Sequence, residues 1–107
     1  MAKTYDLLVE AGATYSISFI YKNKQGVPFD LTGYEVMSQV RNISTDELMF
    51  SPSIETDDAN GVVILSMSAS QTALLVNNPY VYGVELHGDD VIRLVQGKVF
   101  VSPEVVK

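Results

Sequence analysis

Tyr15-Ser16-Ile17-Ser18-Phe19-Ile20-Tyr21-Lys22 sets an apolar side chain at every odd position, and only Ile20 interrupts the polar even series. Successive side chains leave a strand on opposite faces, so period two is the signature of a strand with one buried and one wet face. The same period returns twice. Tyr34, Val36 and Val40 alternate with Glu35, Gln39 and Arg41, and Tyr80, Tyr82, Val84 and Leu86 alternate with Gly83, Glu85 and His87. Faces bearing Ser, Lys, Glu and Arg point to antiparallel sheets wetted on one side. The pattern predicts strands over 4–9, 14–22, 34–41, 47–55, 61–67, 80–87 and 91–101.

Turn chemistry separates these runs. Glu10-Ala11-Gly12 is expected to close a first hairpin, and Asn23-Lys24-Gln25-Gly26 supplies a glycine for positive φ. Asp57-Asp58-Ala59-Asn60-Gly61 predicts a hairpin with Asn60 and Gly61 both at positive φ, and His87-Gly88-Asp89-Asp90 predicts another turn. Pro28-Phe29-Asp30-Leu31-Thr32-Gly33-Tyr34 reads as an arch between two sheets. Pro28 holds Val27 extended, Asp30 makes an Asx turn, Gly33 takes a left-handed step, and Phe29 and Leu31 face inward. One segment departs from period two. Ser68-Ala69-Ser70-Gln71 has capping-box spacing, so one or two helical turns follow, ended by Asn77-Asn78-Pro79.

About seven short strands in 107 residues predict an all-β fold, an immunoglobulin-like antiparallel β-sandwich with one short connecting helix. A small barrel is the alternative. A single domain over 1–107 is expected, one that buries roughly 65% of the surface of its unfolded chain. Residues 103–107 are expected to leave the sheet at Pro103 as a mobile or partner-bound tail. Cysteine is absent, which excludes disulfides and thiolate chemistry, and tryptophan is absent, which excludes the antibody-type Cys–Trp–Cys core.

The formal net charge is −6, and the seven basic residues are scattered at Lys3, Lys22, Lys24, Arg41, Arg93, Lys98 and Lys107. Binding to nucleic acid or to an anionic membrane is therefore disfavoured. Asp6 and Glu10 break the first apolar run, so no export signal is expected. The protein is expected to be made in the cytoplasm and to stay there or leave by a route such as lysis.

Candidate chemistry is sparse. His87 and Glu85 share a strand face, but a single imidazole falls short of a zinc set, so a wet strand face is the preferred reading. A Ser/His/Asp triad would need His87, and no nucleophile elbow accompanies it. Glu47, Glu55, Asp57 and Asp58 read as acidic strand ends rather than a glycosidase pair, and the 57–61 turn lacks the ligand spacing of an EF-hand. No catalytic, cofactor-binding or metal residue is assigned and no cofactor is expected. Six tyrosines fit strand propensity first and a protein interface second.

The order of short motifs carries a resemblance. Gly26-x-Pro28-x-Asp30-Leu31-Thr32-Gly33-Tyr34 is followed by Gln39-Val40-Arg41, Asn60-Gly61-x-Val63-x-Leu65, Ser68-x-Ser70-Gln71-Thr72 and Tyr82-x-Val84-Glu85-Leu86. The chain closes on Gln96-Gly97-Lys98-Val99-x-Val101-Ser102-Pro103-Glu104-Val105. Over almost its whole length it resembles small bacteriophage proteins encoded among virion structural genes, often near tail genes. It is also similar to the N-terminal domain of phage baseplate upper proteins, where a G-x-P-x-D-L-T-G arch recurs. It departs from these at Gly83, where the relatives carry an acidic residue. The resemblance implies a non-enzymatic virion subunit that joins tail, baseplate, collar or fibre parts. A capsid decoration protein and a carbohydrate- or host-binding module are the alternatives. Implied partners are other phage structural proteins and further copies of the chain in a symmetric particle. The first strand, 4–9, and the closing run, 99–106, are the expected contact edges, with Tyr5, Leu7, Val9, Tyr80, Tyr82, Val99, Val101 and Val105 as candidate interface residues.

Overall fold

The computed structural model describes residues 3–75 and 80–102. Among these described residues, nine strand segments run in chain order as β1 (Lys3–Thr4), β2 (Leu7–Glu10), β3 (Tyr15–Ile20), β4 (Glu35–Asn42), β5 (Leu48–Phe50), β6 (Ser53–Asp57), β7 (Val62–Met67), β8 (Tyr80–His87) and β9 (Val91–Ser102). A short helix, α1 (Ala69–Thr72), precedes β8, and a single 3-10 turn, Asp58–Asn60, joins β6 to β7.

The strands form two sheets. The larger has the order β1–β9–β8–β4–β5, with β2 also on β9, and the smaller has the order β3–β7–β6. Along the chain, β1–β2, β4–β5 and β8–β9 enter the larger sheet, while β3 alone and then β6–β7 enter the smaller, an interleaving of the immunoglobulin-like sandwich type. The fold is an all-β sandwich, as the period-two runs predict. Two pairings are not antiparallel: β1 and β2 both lie parallel to β9, with Leu7 opposite Val99 and Val9 opposite Val101.

Alternate residues of both sheets meet in one core. Leu7, Val9, Val40, Val63, Leu65, Met67, Tyr80, Val84 and Leu86 are all buried there. Fully burying one such aliphatic side chain contributes about 1.5–3 kcal/mol. The arch delivers Leu31 to the same core, fully buried, with Phe29 packed against it. Its turn forms as the sequence predicts. Asp30 Oδ1 accepts from the Thr32 amide at 2.9 Å and the Thr32 hydroxyl at 2.6 Å, and Gly33 sits at φ 89°. Those two bonds hold the Asp30 carboxyl below its ordinary range.

The capping box is present in full. Ser68 Oγ accepts from the Gln71 amide, and Gln71 Oε1 accepts from the Ser68 amide. The expected stop at Asn77-Asn78-Pro79 lies outside the described residues.

Four expectations are corrected. The run 4–9 is two strands, because the Lys98 amide donates to Asp6 Oδ1 and the Tyr5 carbonyl is taken by the Tyr82 hydroxyl, which interrupts the ladder. The run 47–55 is also two strands, in different sheets. It breaks at Ser51-Pro52, where the buried proline has no N–H for a ladder. Glu10-Ala11-Gly12 closes no hairpin, since β2 pairs with β9 and β3 with β7; the turn carries the chain between sheets. In the 57–61 turn only Gly61 has positive φ, because Asn60 belongs to the 3-10 turn and the loop holds four residues rather than two.

Candidate docking surfaces

The first strand is an edge, as expected. Residues 99–102 of the closing run are not, because β9 lies between β8 and the β1–β2 edge, and residues 103–106 lie outside the described residues. The expected interface side chains divide sharply. Leu7, Val9, Tyr80, Tyr82 and Val99 are buried in the core, so they are corrected from interface to core residues. Val101 is half-buried against that core, Tyr5 is 52% exposed, and Val105 lies outside the described residues. The physical reason is the pleat. Leu7, Val9, Val99 and Val101 occupy the inward phase, and the outward phase of the same two strands carries Leu8 and Phe100. These two stand opposite each other in register, 69% and 53% exposed.

Tyr82 has a structural task. Its strand neighbour across the β8–β9 pair is Gly97, and its phenol donates past that glycine to the carbonyl of Tyr5. Gly97 is required there, because a Cβ would sit 2.2 Å from Tyr5 O. Burial, reinforced by the neighbouring Tyr15, Asp6 and Tyr5, holds the Tyr82 phenol well above the usual tyrosine range.

The outer face of the larger sheet carries a shallow trough of about 580 Å³ over Gly83, flanked by Gln39, Arg41, Glu85, His87 and Arg93. Its polar groups are engaged with one another. Arg41 donates twice to Gln39 Oε1 and once to Asp46 O, while His87 Nε2 lies 3.0 Å and Arg93 Nε 3.6 Å from the Glu85 carboxylate. At the 57–61 turn, Asp57 accepts from Asn60 and Asp58 accepts from Thr56, so both carboxylates shape the turn. Among the described residues no three potential metal ligands gather.

A second hollow, of about 440 Å³, opens between the β1 edge of one sheet and the β3 edge of the other. Tyr5, Phe19 and Tyr21 line it, with the Tyr5 and Phe19 rings edge to face at 5.9 Å. Lys3, Lys22 and Lys24 stand around it, three of the seven basic residues of the chain, and no acidic residue joins them among the described lining residues. The sequence shows these lysines as scattered; the fold collects them, because they lie at the ends of β1 and β3.

The sheet edges differ in how they are protected. Sheet edges attract other strands, and proteins defend them with charges, prolines, bulges or shortness. The β5 edge is three residues long, β6 carries Glu55 and Asp57, and the β1–β2 edge is interrupted at Tyr5-Asp6. The β3 edge has none of these devices. Its six residues contain no charge and no proline, and they pair with β7 in an unbroken register.

A scan against protein-family models and a search of curated proteins found no match to this chain.

Proposed function

We propose that the protein is a non-enzymatic structural subunit of a bacteriophage particle, joining tail, baseplate, collar or fibre components by protein–protein contact. The motif order of the sequence supports the phage setting. The observation that supports the contact role is the outward pair Leu8 and Phe100 at the sheet margin. Isolated exposed apolar residues are ordinary, but two in register on an edge strand and its neighbour form a site a partner can cover. Aromatic and large aliphatic side chains of this kind supply the anchors of protein interfaces. Repetition around a symmetric particle uses one such surface many times.

Quantitative mass spectrometry of purified particles tests the reading. The chain is expected in a fixed ratio to the other structural proteins. In particles assembled with Leu8→Glu and Phe100→Glu combined, incorporation is expected to fall while circular dichroism of the purified variant stays that of the parent. Absence of the chain from purified particles overturns the proposal.

A further inference from the structure

We propose that the free edge of β3 accepts an added strand from an acidic, extended segment of a partner protein, whose carboxylates meet Lys3, Lys22 and Lys24. The inference deepens the assembly reading by assigning one docking edge and the chemistry of its occupant.

The backbone register sets which groups are available. Tyr21 N donates to Gly61 O, and the β3–β7 register keeps the same sum of residue numbers along its length. In an antiparallel ladder, hydrogen-bonded pairs alternate with non-bonded pairs. Residues 15, 17 and 19 therefore turn their N–H and C=O groups toward β7, and Tyr21, beyond the strand, gives its N–H to Gly61 and its C=O to the Phe29 amide. Ser16, Ser18 and Ile20 turn theirs to the open edge. The Ser16 and Ser66 hydroxyls, 3.4 Å apart, fit a non-bonded pair, in which side chains lie closer. The edge thus offers three N–H and three C=O groups along an undefended strand.

The hollow beside this edge supplies selectivity. An added strand gains affinity from main-chain bonds, and pockets that accept alternate side chains choose among sequences. Tyr5, Phe19 and Tyr21 make an apolar lining, and the three lysines make a cationic rim on a chain of net charge −6. Charge complementarity therefore favours a carboxylate-rich strand over a second copy of this chain, whose own β3 run carries no carboxylate.

The probe is a blocked eight-residue peptide alternating glutamate and valine, with a lysine–valine peptide as control, titrated into the ¹⁵N-labelled full chain. Saturable shifts and slowed exchange are expected at the amides of Ser16, Ser18 and Ile20. The control peptide is expected to leave them unmoved. Lys22→Glu with Lys24→Glu is expected to weaken binding about tenfold. Ser18→Pro removes an outward N–H and is expected to abolish binding; Ser18→Lys, a charge guard on the same edge, reads the outcome if the proline variant does not fold. The assignment is overturned if the glutamate peptide leaves those amides unmoved, if both peptides bind alike, or if dilution alone shifts them, which would make a second copy the occupant. Presence of the chain in particles is scored independently, so failure of the edge assignment and failure of the virion reading are separate results.

Discussion

The Tyr82 phenol donates its hydrogen bond to the carbonyl of Tyr5, across a neighbouring strand that has only Gly97 at the crossing point. A side chain of β8 thereby reaches over β9 and fixes the break between β1 and β2. The same break is held from the other side by Asp6, which accepts the Lys98 amide at 2.9 Å. The first edge strand is thus pinned where its ladder is interrupted.

Tyr82→Phe keeps the buried ring and removes the donor. A part-buried carbonyl left without its partner costs about 1–3 kcal/mol. Urea unfolding is expected to show a lower midpoint with an unchanged slope, and faster amide exchange at Tyr5. An unchanged midpoint would mean that the bond contributes nothing to holding the edge.

The same phenol gives the stability a pH dependence of defined sign. Burial raises its pKa above the ordinary tyrosine value of 10.0, so the folded chain keeps a proton that the unfolded chain releases. Its contribution is complete below about pH 10 and is lost as pH rises from there toward the folded value. Tyr15, raised by burial and by Tyr5, and Tyr34, raised chiefly by its hydrogen bond to Asp90, act in the same direction. Urea midpoints measured from about pH 8 to 11.5 are expected to fall along the alkaline limb, less steeply in Tyr82→Phe than in the parent. Equal slopes would contradict this.

Gly97→Ala places a methyl against the Tyr5 backbone, which has no flexible end to move aside. Overpacking of this kind costs about 1–3 kcal/mol or more. The expected result is loss of exchange protection confined to the Tyr5 and Lys98 amides at mild denaturant, followed by a lower melting temperature. Retained protection at both amides would show that the close approach is not needed.

Thr72 is a buried polar residue joining α1 to the turn between β2 and β3. Its hydroxyl donates to Ala13 O at 2.8 Å and accepts from Gly12 N at 3.1 Å. Thr72→Val preserves the shape and leaves both backbone groups unpaired. A loss of about 1–3 kcal/mol is expected in urea unfolding, larger than for Ser70→Ala on the exposed face of the same helix.

Strand positions were legible in the sequence because period two is a local property, and the capping box at Ser68 and the Asx turn at Asp30 are local too. Partnership was not. Nothing near Glu10-Ala11-Gly12 says that β2 lies parallel to β9, some ninety residues away along the chain. Pro52 did carry a readable signal, since a proline inside the run 47–55 argues against one continuous central strand. The expected interface positions lie one step of the pleat away from the exposed ones. Leu7, Val9, Tyr80 and Tyr82 share the phase of the most apolar positions, which is the mark of core, whereas Leu8 and Phe100 sit in the opposite phase. The lysine rim had no sequence signal, because Lys3 and Lys22 become neighbours only when β1 and β3 face one another across the sandwich margin.

Cryo-electron microscopy of the intact particle tests the central claim most directly. The expected result is the two-sheet domain at symmetry-related positions, with Leu8 and Phe100 covered and a neighbour's strand continuing the sheet at β3. A particle in which every structural position is filled by other chains contradicts it.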